Sequence, residues 1–243
     1  MHNSLQFIER TADSVLQQTF TEWEWLLVDD ASTDGSSDYL RDLGSDDSRV
    51  KVIRLTDNMG AGPARNRAIE QANGRFVAFL DSDDIWIPCR LEMHVGFMEQ
   101  RGSAFSHTSY GYIDEHDNVI RNTFHVSAHP IAYTDLLKRT EISCLTAIYD
   151  QNVLGKMYMP DLRRKQDYAL WLAILKRGYR SDPLDVETAF YRQHSGSATN
   201  KKHELILKHW QFLRDVEGLS PAHSLYYTTR WGLEGLKKYY LPT

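Results

Sequence analysis

Three carboxylates fall within four consecutive positions at Asp81-Ser82-Asp83-Asp84, directly after the apolar run Phe76-Val77-Ala78-Phe79-Leu80. Carboxylates held that close repel one another unless a cation joins them. Oxygen donors of this kind select a hard divalent ion, Mg²⁺ or Mn²⁺, which keeps few protein ligands and takes the rest from water and substrate phosphate. One Asp ahead of Pro88 could equally cap a helix, but three are more than a cap needs. A second acidic pair, Asp29-Asp30, closes the stretch Glu24-Trp25-Leu26-Leu27-Val28. His194 lies in a Ser/Gly/Asn-rich loop. It has two readings, a further metal or phosphate contact in a loop that closes over a ligand and an exposed loop histidine. His125 and His129 have i, i+4 spacing, but Pro130 follows and no Glu-containing zinc motif surrounds them, so they read as surface residues. Gly60-Ala61-Gly62-Pro63-Ala64-Arg65 carries Arg65 where a dinucleotide loop needs its third glycine, which opposes NAD.

These residues need elements that bring them together. Ser4 is expected to cap a helix whose Ile8, Ala12, Val15 and Leu16 share one face. Strands are predicted over 24–28, 50–55 and 76–80, and helices from Ser36 or Ser37 to Leu43, from Pro63 to about Asn73, and from Pro88 to Gly102. Short apolar strands alternating with helices mean βαβ units and a parallel sheet, whose ligands bind at the carboxyl ends of the strands. Both acidic clusters sit at such ends. Further on, 105–113 and 119–124 flank a hairpin turn, and 143–149 reads as a strand. In the helix 167–177, Tyr168, Trp171, Leu172 and Leu175 recur at helical spacing; residues 203–240 are helical with a break near Gly218-Leu219-Ser220-Pro221. A doubly wound half begins with a strand, yet only Met1-His2-Asn3 precede the first helix. The first strand is therefore expected to be missing from the chain, the alternative being a sheet one strand smaller.

A length of 243 residues fits one domain with a C-terminal appendage, or at most two domains. Net charge −5 opposes phosphate-driven nucleic-acid binding. Cys89 and Cys144 make neither a disulfide framework nor a zinc module, which suits a reducing compartment. No run approaches the ~20 apolar residues of a membrane span, and Met1-His2-Asn3-Ser4 lacks the basic-then-apolar pattern of a signal peptide.

Four segments taken in order carry a resemblance: Val28-Asp29-Asp30-Ala31-Ser32-Thr33-Asp34-Gly35, Asn58-Met59-Gly60-Ala61-Gly62-Pro63-Ala64-Arg65-Asn66, Phe79-Leu80-Asp81-Ser82-Asp83-Asp84, and Gln166-Asp167-Tyr168-Ala169-Leu170-Trp171-Leu172. The chain resembles the family 2 glycosyltransferases of GT-A fold over about residues 3–200. It is similar in particular to enzymes of teichuronic acid, capsule and O-antigen assembly through Arg163-Arg164-Lys165-Gln166-Asp167 and the run from Tyr191 to Ser197. That resemblance implies an α/β fold with a Rossmann-like, mostly parallel sheet flanked by helices, followed by a C-terminal helical extension. Residues 1–102 would bind the nucleotide sugar, 103–202 the acceptor and the catalytic base, and 203–243 would form the extension.

Asp30, beside Asp29, matches the reader of the nucleobase, Asn3 the residue closing the first strand near the nucleotide, and Arg65 a contact near base and ribose. Asp81 and Asp83 match the DxD pair, Asp81 toward the ribose and Asp83 on the metal, with Asp84 sharing metal work. Asp167 matches the catalytic base. The implied reaction is single displacement with inversion, from a nucleotide-sugar donor, a UDP-sugar in the first instance, to a glycan or lipid-linked oligosaccharide. The expected location is cytoplasmic and peripheral at the inner face of the membrane. Two departures stand out: Gln166-Asp167 replaces the Glu-Asp of many relatives, and only His2-Asn3 represent the opening strand. The aromatic and basic C-terminal residues, Tyr226, Tyr227, Trp231, Tyr239 and Tyr240 with Arg230, Lys237 and Lys238, suit a membrane interface, the alternative being a helix packed on the domain. The rival functions are a catalytically silent nucleotide-sugar-binding or scaffold homologue, which Asp83 and Asp167 oppose, and a Rossmann oxidoreductase.

Overall fold

The computed structural model describes residues 1–194 and 202–240. Helix α1 (Leu5–Leu16) comes first, with Ser4 at its N-cap position. The Ser4 hydroxyl does not cap it but contacts Ser82 Oγ at 2.8 Å, and Asp34 Oδ2 accepts from Leu5 N at 2.9 Å instead. An acid from a loop thirty residues on thus satisfies the helix end. Strand β1 (Trp25–Asp29), α2 (Ser36–Asp46) and β2 (Val50–Arg54) form a βαβ unit whose strands pair in parallel. Helix α3 (Ala61–Gln71), β3 (Phe76–Ala78), β4 (Ile85–Trp86) and α4 (Arg90–Arg101) complete the first half, and Gly102 closes α4 at φ 63°. Before α1, Met1 lies alongside β1: its amine donates to Val28 O at 2.6 Å and its carbonyl accepts from Asp30 N at 2.8 Å.

The second half comprises β5 (Phe105–Ile113), β6 (Val119–Phe124), α5 (Tyr133–Leu136), β7 (Ile148–Asp150), α6 (Gln151–Leu154), α7 (Gln166–Lys176), β8 (Asp182–Arg192), α8 (Lys202–Asp215) and α9 (Pro221–Tyr240). The hairpin and the broken helical end stand where the sequence puts them. The expectation of a mostly parallel sheet is corrected. Among the described residues, parallel pairing is confined to β1 with β2 and β5 with β8, while β3–β7, β5–β7, β5–β6 and β4–β8 are antiparallel. The sheet is mixed because βαβ connections end at β3; β7 then inserts between β3 and β5 in the reverse direction. The strand expected over 143–149 is also corrected. Cys144–Thr146 form a 3₁₀ turn, closed by Thr146 N and Oγ1 on Ser143 O at 3.0 and 2.8 Å, and the strand starts only at Ile148. A hydroxyl that bonds its own backbone competes with the ladder.

Helix α7 is the centre of the largest core cluster. Beyond the predicted stripe it also buries Ala169, Leu170 and Ile174; Phe212 and Leu213 of α8 belong to the same cluster, with Phe212 5.4 Å from the Tyr168 ring. Trp171 is fully buried, stacked on Phe105 at 5.2 Å and edge-on to Phe79 at 5.6 Å. Burial on most sides, with Ala173 and Lys176 left exposed, seats the start of α7 on the core.

Candidate active site

The carboxyl end of β1 and the loops after it are built from their own acids. Asp29 Oδ1 accepts from Ser32 N at 3.0 Å, Ser37 Oγ donates to Oδ2, and Arg54 stands 3.8 Å away. Burial raises the Asp29 carboxyl, but these hydrogen bonds outweigh it and hold it below the ordinary range. Asp30 Oδ1 accepts from Met59 N at 2.7 Å and Oδ2 from Gly60 N at 2.8 Å. Gly60 has φ 90°, a conformation that suits glycine, so the Asn58–Gly62 loop folds around the Asp30 carboxylate. Asn3 joins the same loop system, with Oδ1 accepting from Thr33 N at 2.8 Å and its backbone N–H donating to Ser32 Oγ at 3.0 Å.

The 81–84 loop faces this edge. Arg65, on α3, pairs through Nη2 with Asp81 Oδ1. Burial works to lower the guanidinium, but Asp81 first, then Cys144 and Asp167, raise it above its ordinary value. Asp83 Oδ2 lies 3.2 Å from His194 Nε2, and burial together with Asp81 raises the Asp83 carboxyl. His194 is thus a partner of the acidic loop and also packs on Phe7 at 4.9 Å. Asp84 is buried: Oδ1 accepts from Arg192 N at 2.8 Å, and Oδ2 has no hydrogen-bond partner among the described residues. Burial, then Asp83 and Asp81, push this carboxyl well above the usual range.

Asp167 lies in the first turn of α7. Burial raises its carboxyl, Arg65 works against that, and Asp81 adds to it. Asp81, Arg65 and Asp167 therefore share one electrostatic environment. Gly62 of α3 lies against this helix start: a Cβ there would be in ordinary contact with Pro160 O at 3.4 Å and the Gln166 side chain at 3.5 Å. The four non-glycine residues with positive φ among the described residues are Asn3, Ala31, Asp117 and Lys165. Asn3, Ala31 and Lys165 border this cleft, and Asp117 meets Arg192 at 2.5 Å; strain gathers where a site is held in place.

Two residues lie in segments that carry the resemblance but receive no role from the sequence. Arg192 is buried and clamps the acidic loop, donating from Nε to Asp83 O at 2.6 Å and from Nη1 to Asp114 O at 2.7 Å. Lys165, just before α7, places Nζ 2.5 Å from His209 Nδ1 and 5.2 Å from the Trp231 ring. Burial brings Lys165 down to about 8, and burial plus Lys165 bring His209 down to about 2. Only the position of Lys165 beside Asp167 hinted at this. The C-terminal aromatics divide. Trp231 stacks on His209 at 4.3 Å and Tyr227 packs on the core, whereas Leu225, Tyr226 and Leu233 are exposed. Ser195 to Ser197 and the side chains of Tyr239, Tyr240, Lys237 and Lys238 lie outside the described residues. His125 is exposed and bonds Asp185 at 2.8 Å, and His129 is exposed as well. Among the described residues no helix is long and apolar enough to cross a membrane.

Asp81, Asp83 and the orphaned buried Oδ2 of Asp84 are oxygen donors of the kind a hard divalent ion takes, and the His194 imidazole stands beside Asp83. Among the described residues no three acidic, His or Cys side chains gather into a ready-made cage. An ion held here would complete its shell with phosphate and water.

The family model described as Glycosyl transferase family 2 matches residues 1–157. TuaG of Bacillus subtilis (strain 168), a glycosyltransferase named for teichuronic acid biosynthesis, is 37% identical over 237 residues, covering 98% of this chain and 94% of TuaG. The UDP-Glc:alpha-D-GlcNAc-diphosphoundecaprenol beta-1,3-glucosyltransferase WfgD of Escherichia coli is 36% identical, over 98% of this chain and 92% of WfgD. Among solved structures, S. aureus TarS 1-349 in complex with UDP-GlcNAc superposes with a TM-score of 0.73 at 21% identity, over 98% of this chain and 71% of that one. The mannosyltransferase PcManGT from Pyrobaculum calidifontis, in complex with GDP-Man and Mn²⁺, superposes with a TM-score of 0.65 at 17% identity, over 94% and 67%. These structural likenesses show the GT-A fold.

Proposed function

The chain belongs to glycosyltransferase family 2, and from that membership we propose an inverting, cation-dependent transfer from a UDP-sugar to a lipid-linked glycan in bacterial cell-envelope polysaccharide synthesis. The observation that carries this reading is the shared environment of Asp81, Arg65 and Asp167, which joins the diphosphate-side loop to the start of α7 in one cleft. The relatives support the substrate classes: WfgD is named for UDP-Glc and a diphosphoundecaprenol acceptor, and TuaG for teichuronic acid.

In this reading residues 1–102 hold the donor, 103–202 the acceptor and the base, and 203–243 an extension. Asn3, Asp29 and Asp30 shape the nucleotide end, and Arg65 and Asp81 the ribose and phosphate end. Asp83, with Asp81, Asp84 and His194, holds Mn²⁺ or Mg²⁺. The cation, when bound, supplies positive charge to the diphosphate leaving group. Asp167 accepts the proton of the acceptor hydroxyl; a carboxyl raised by burial is a stronger base than an ordinary one. Arg65 opposes that rise by favouring the ionised form. Exposed Leu225, Tyr226 and Leu233 on α9 support peripheral contact at the inner membrane face, where a lipid-linked acceptor resides.

The test is Asp167→Asn, assayed for transfer and, by calorimetry, for UDP binding with Mn²⁺ and then with a chelator. Transfer falls by about 10²–10⁴-fold while cation-dependent UDP binding persists. Undiminished transfer by this variant would sink the mechanism.

A further inference from the structure

Helix α7 opens at Lys165, and the backbone there is strained. Lys165 stands at the N-cap position with φ 61°, in the left-handed region that a residue with a Cβ avoids. Its carbonyl accepts from Ala169 N at 2.9 Å, which ties it to the helix. Arg163 and Arg164, just ahead of it, are exposed, whereas Lys165 is half-buried. A lysine ordinarily runs its ammonium out to water.

This ammonium ends instead in a pocket made by three helices. His209 of α8 places Nδ1 2.5 Å from Nζ. The ring centres of Trp231 on α9, Phe212 on α8 and Tyr168 on α7 lie 5.2, 5.4 and 5.7 Å from Nζ, within the reach of cation–π attraction. Burial and Lys165 hold the imidazole neutral, so the ammonium donates and Nδ1 accepts. The pocket is itself braced. Trp231 stacks on His209 at 4.3 Å and donates from Nε1 to Thr140 Oγ1 at 2.8 Å, and the Tyr168 hydroxyl donates to Leu136 O at 3.0 Å. The groups that face the ammonium are therefore the Asp167 carboxyl from α7, which favours its charge, the His209 imidazole from α8 and an indole from α9.

We infer that Lys165 is a positioning residue for Asp167: α8 and α9 grip its ammonium and thereby fix where the first turn of α7 presents the carboxylate. The inference rests on Asp167 being the base. Residue 165 is anchored at both ends, its carbonyl on α7 and its ammonium on α8 and α9, and only Gln166 separates it from Asp167. The C-terminal helices then serve the reaction without touching the reacting atoms. The attraction is mutual, so the ammonium also favours the ionised form of Asp167. Burial brings Lys165 down to about 8. The grip is present below that pH and lost above it, where a neutral amine no longer draws on the rings.

The test measures UDP release with a lipid-linked acceptor, separating kcat from KM for the UDP-sugar, in the wild-type chain and in Lys165→Met, His209→Leu and His209→Gln. Lys165→Met is expected to lower kcat by about 10–100-fold and to leave KM and cation-dependent UDP binding unchanged. His209→Leu removes the acceptor that α8 supplies and should lower kcat in the same way. His209→Gln, whose amide oxygen accepts from Nζ, should restore it. In NMR of the lysine-labelled chain, the Lys165 side chain, identified by its loss in Lys165→Met, should titrate at about 8, the midpoint at which wild-type kcat falls. Wild-type kcat in Lys165→Met or His209→Leu overturns the proposal, as does an equal loss in both His209 variants. A Lys165 that titrates like a lysine in water, at about 10.4, overturns it too. Should Lys165→Met fail to fold, the His209 pair decides. Transfer that survives Asp167→Asn, measured alongside, sinks the assignment of the base and this inference with it.

Discussion

Replacing Arg65 by Gln removes the positive charge shared by Asp81 and Asp167 while keeping an amide that can donate to Asp81. Two unit charges about 6 Å apart, the outer reach at which one charge shifts another's titration, interact by about 2.8 kcal/mol at an effective dielectric constant of about 20. That is about 2 pH units. The Asp81 side chain is 36% exposed, so water and salt reach this cleft, and screening leaves about one pH unit. The sign is unambiguous. Arg65 is the largest influence lowering the Asp167 carboxyl, ahead of the backbone N–H groups of Tyr168 and Asp167, while burial and Asp81 raise it, so losing Arg65 shifts the balance upward. The acid limb of kcat/KM, which reports deprotonation of the base in the free enzyme, should move to higher pH by about one unit. UDP release from pH 5 to 9 with a lipid-linked acceptor measures the limb, and circular dichroism confirms the fold. The rate also drops through weaker donor binding, so the limb position is the informative quantity. A limb that stays in place, or moves to lower pH, refutes the electrostatic link between Arg65 and Asp167.

Asp83→Asn should abolish the cation dependence of UDP binding and, in chelator, raise the thermal midpoint at pH 7 by about 2 °C. Burial and Asp81 raise this carboxyl in the fold, so its favourable contribution is present below the ordinary carboxylate range and lost as pH rises through the folded value; the gain should vanish near pH 3.5, which differential scanning across pH checks. Arg192→Met removes the donors to the half-buried Asp83 O and Asp114 O and the ion pair with Asp117. It should cost about 3 kcal/mol in urea unfolding and weaken UDP binding at least tenfold. Trp171→Ala empties the space between Phe79 and Phe105 and should cost about 3–5 kcal/mol; a loss under about 1 kcal/mol would mean α7 is not packed as described.

The sequence alone determined the parts that depend on local order. Apolar runs followed by acids located β1, β3 and both acidic clusters, because a strand that ends in carboxylates needs no distant partner to be recognised. The helix 167–177, the hairpin at 114–118 and the break near Pro221 were legible for the same reason: period, turn residues and breakers act within a few residues. Tertiary structure decided what those residues face. Asp29 and Asp30 are held by amides and hydroxyls from residues 32, 37, 59 and 60, and Asp84 by the amide of Arg192, more than a hundred residues away. The strand directions beyond β3 depend on pairing partners distant in sequence, so an apolar run could not announce them. Lys165 was one basic residue in a basic run until α8 and α9 folded His209 and Trp231 against it. Burial of a charge, and the shift it brings, is a property of everything packed around it, and only the folded chain supplies those neighbours.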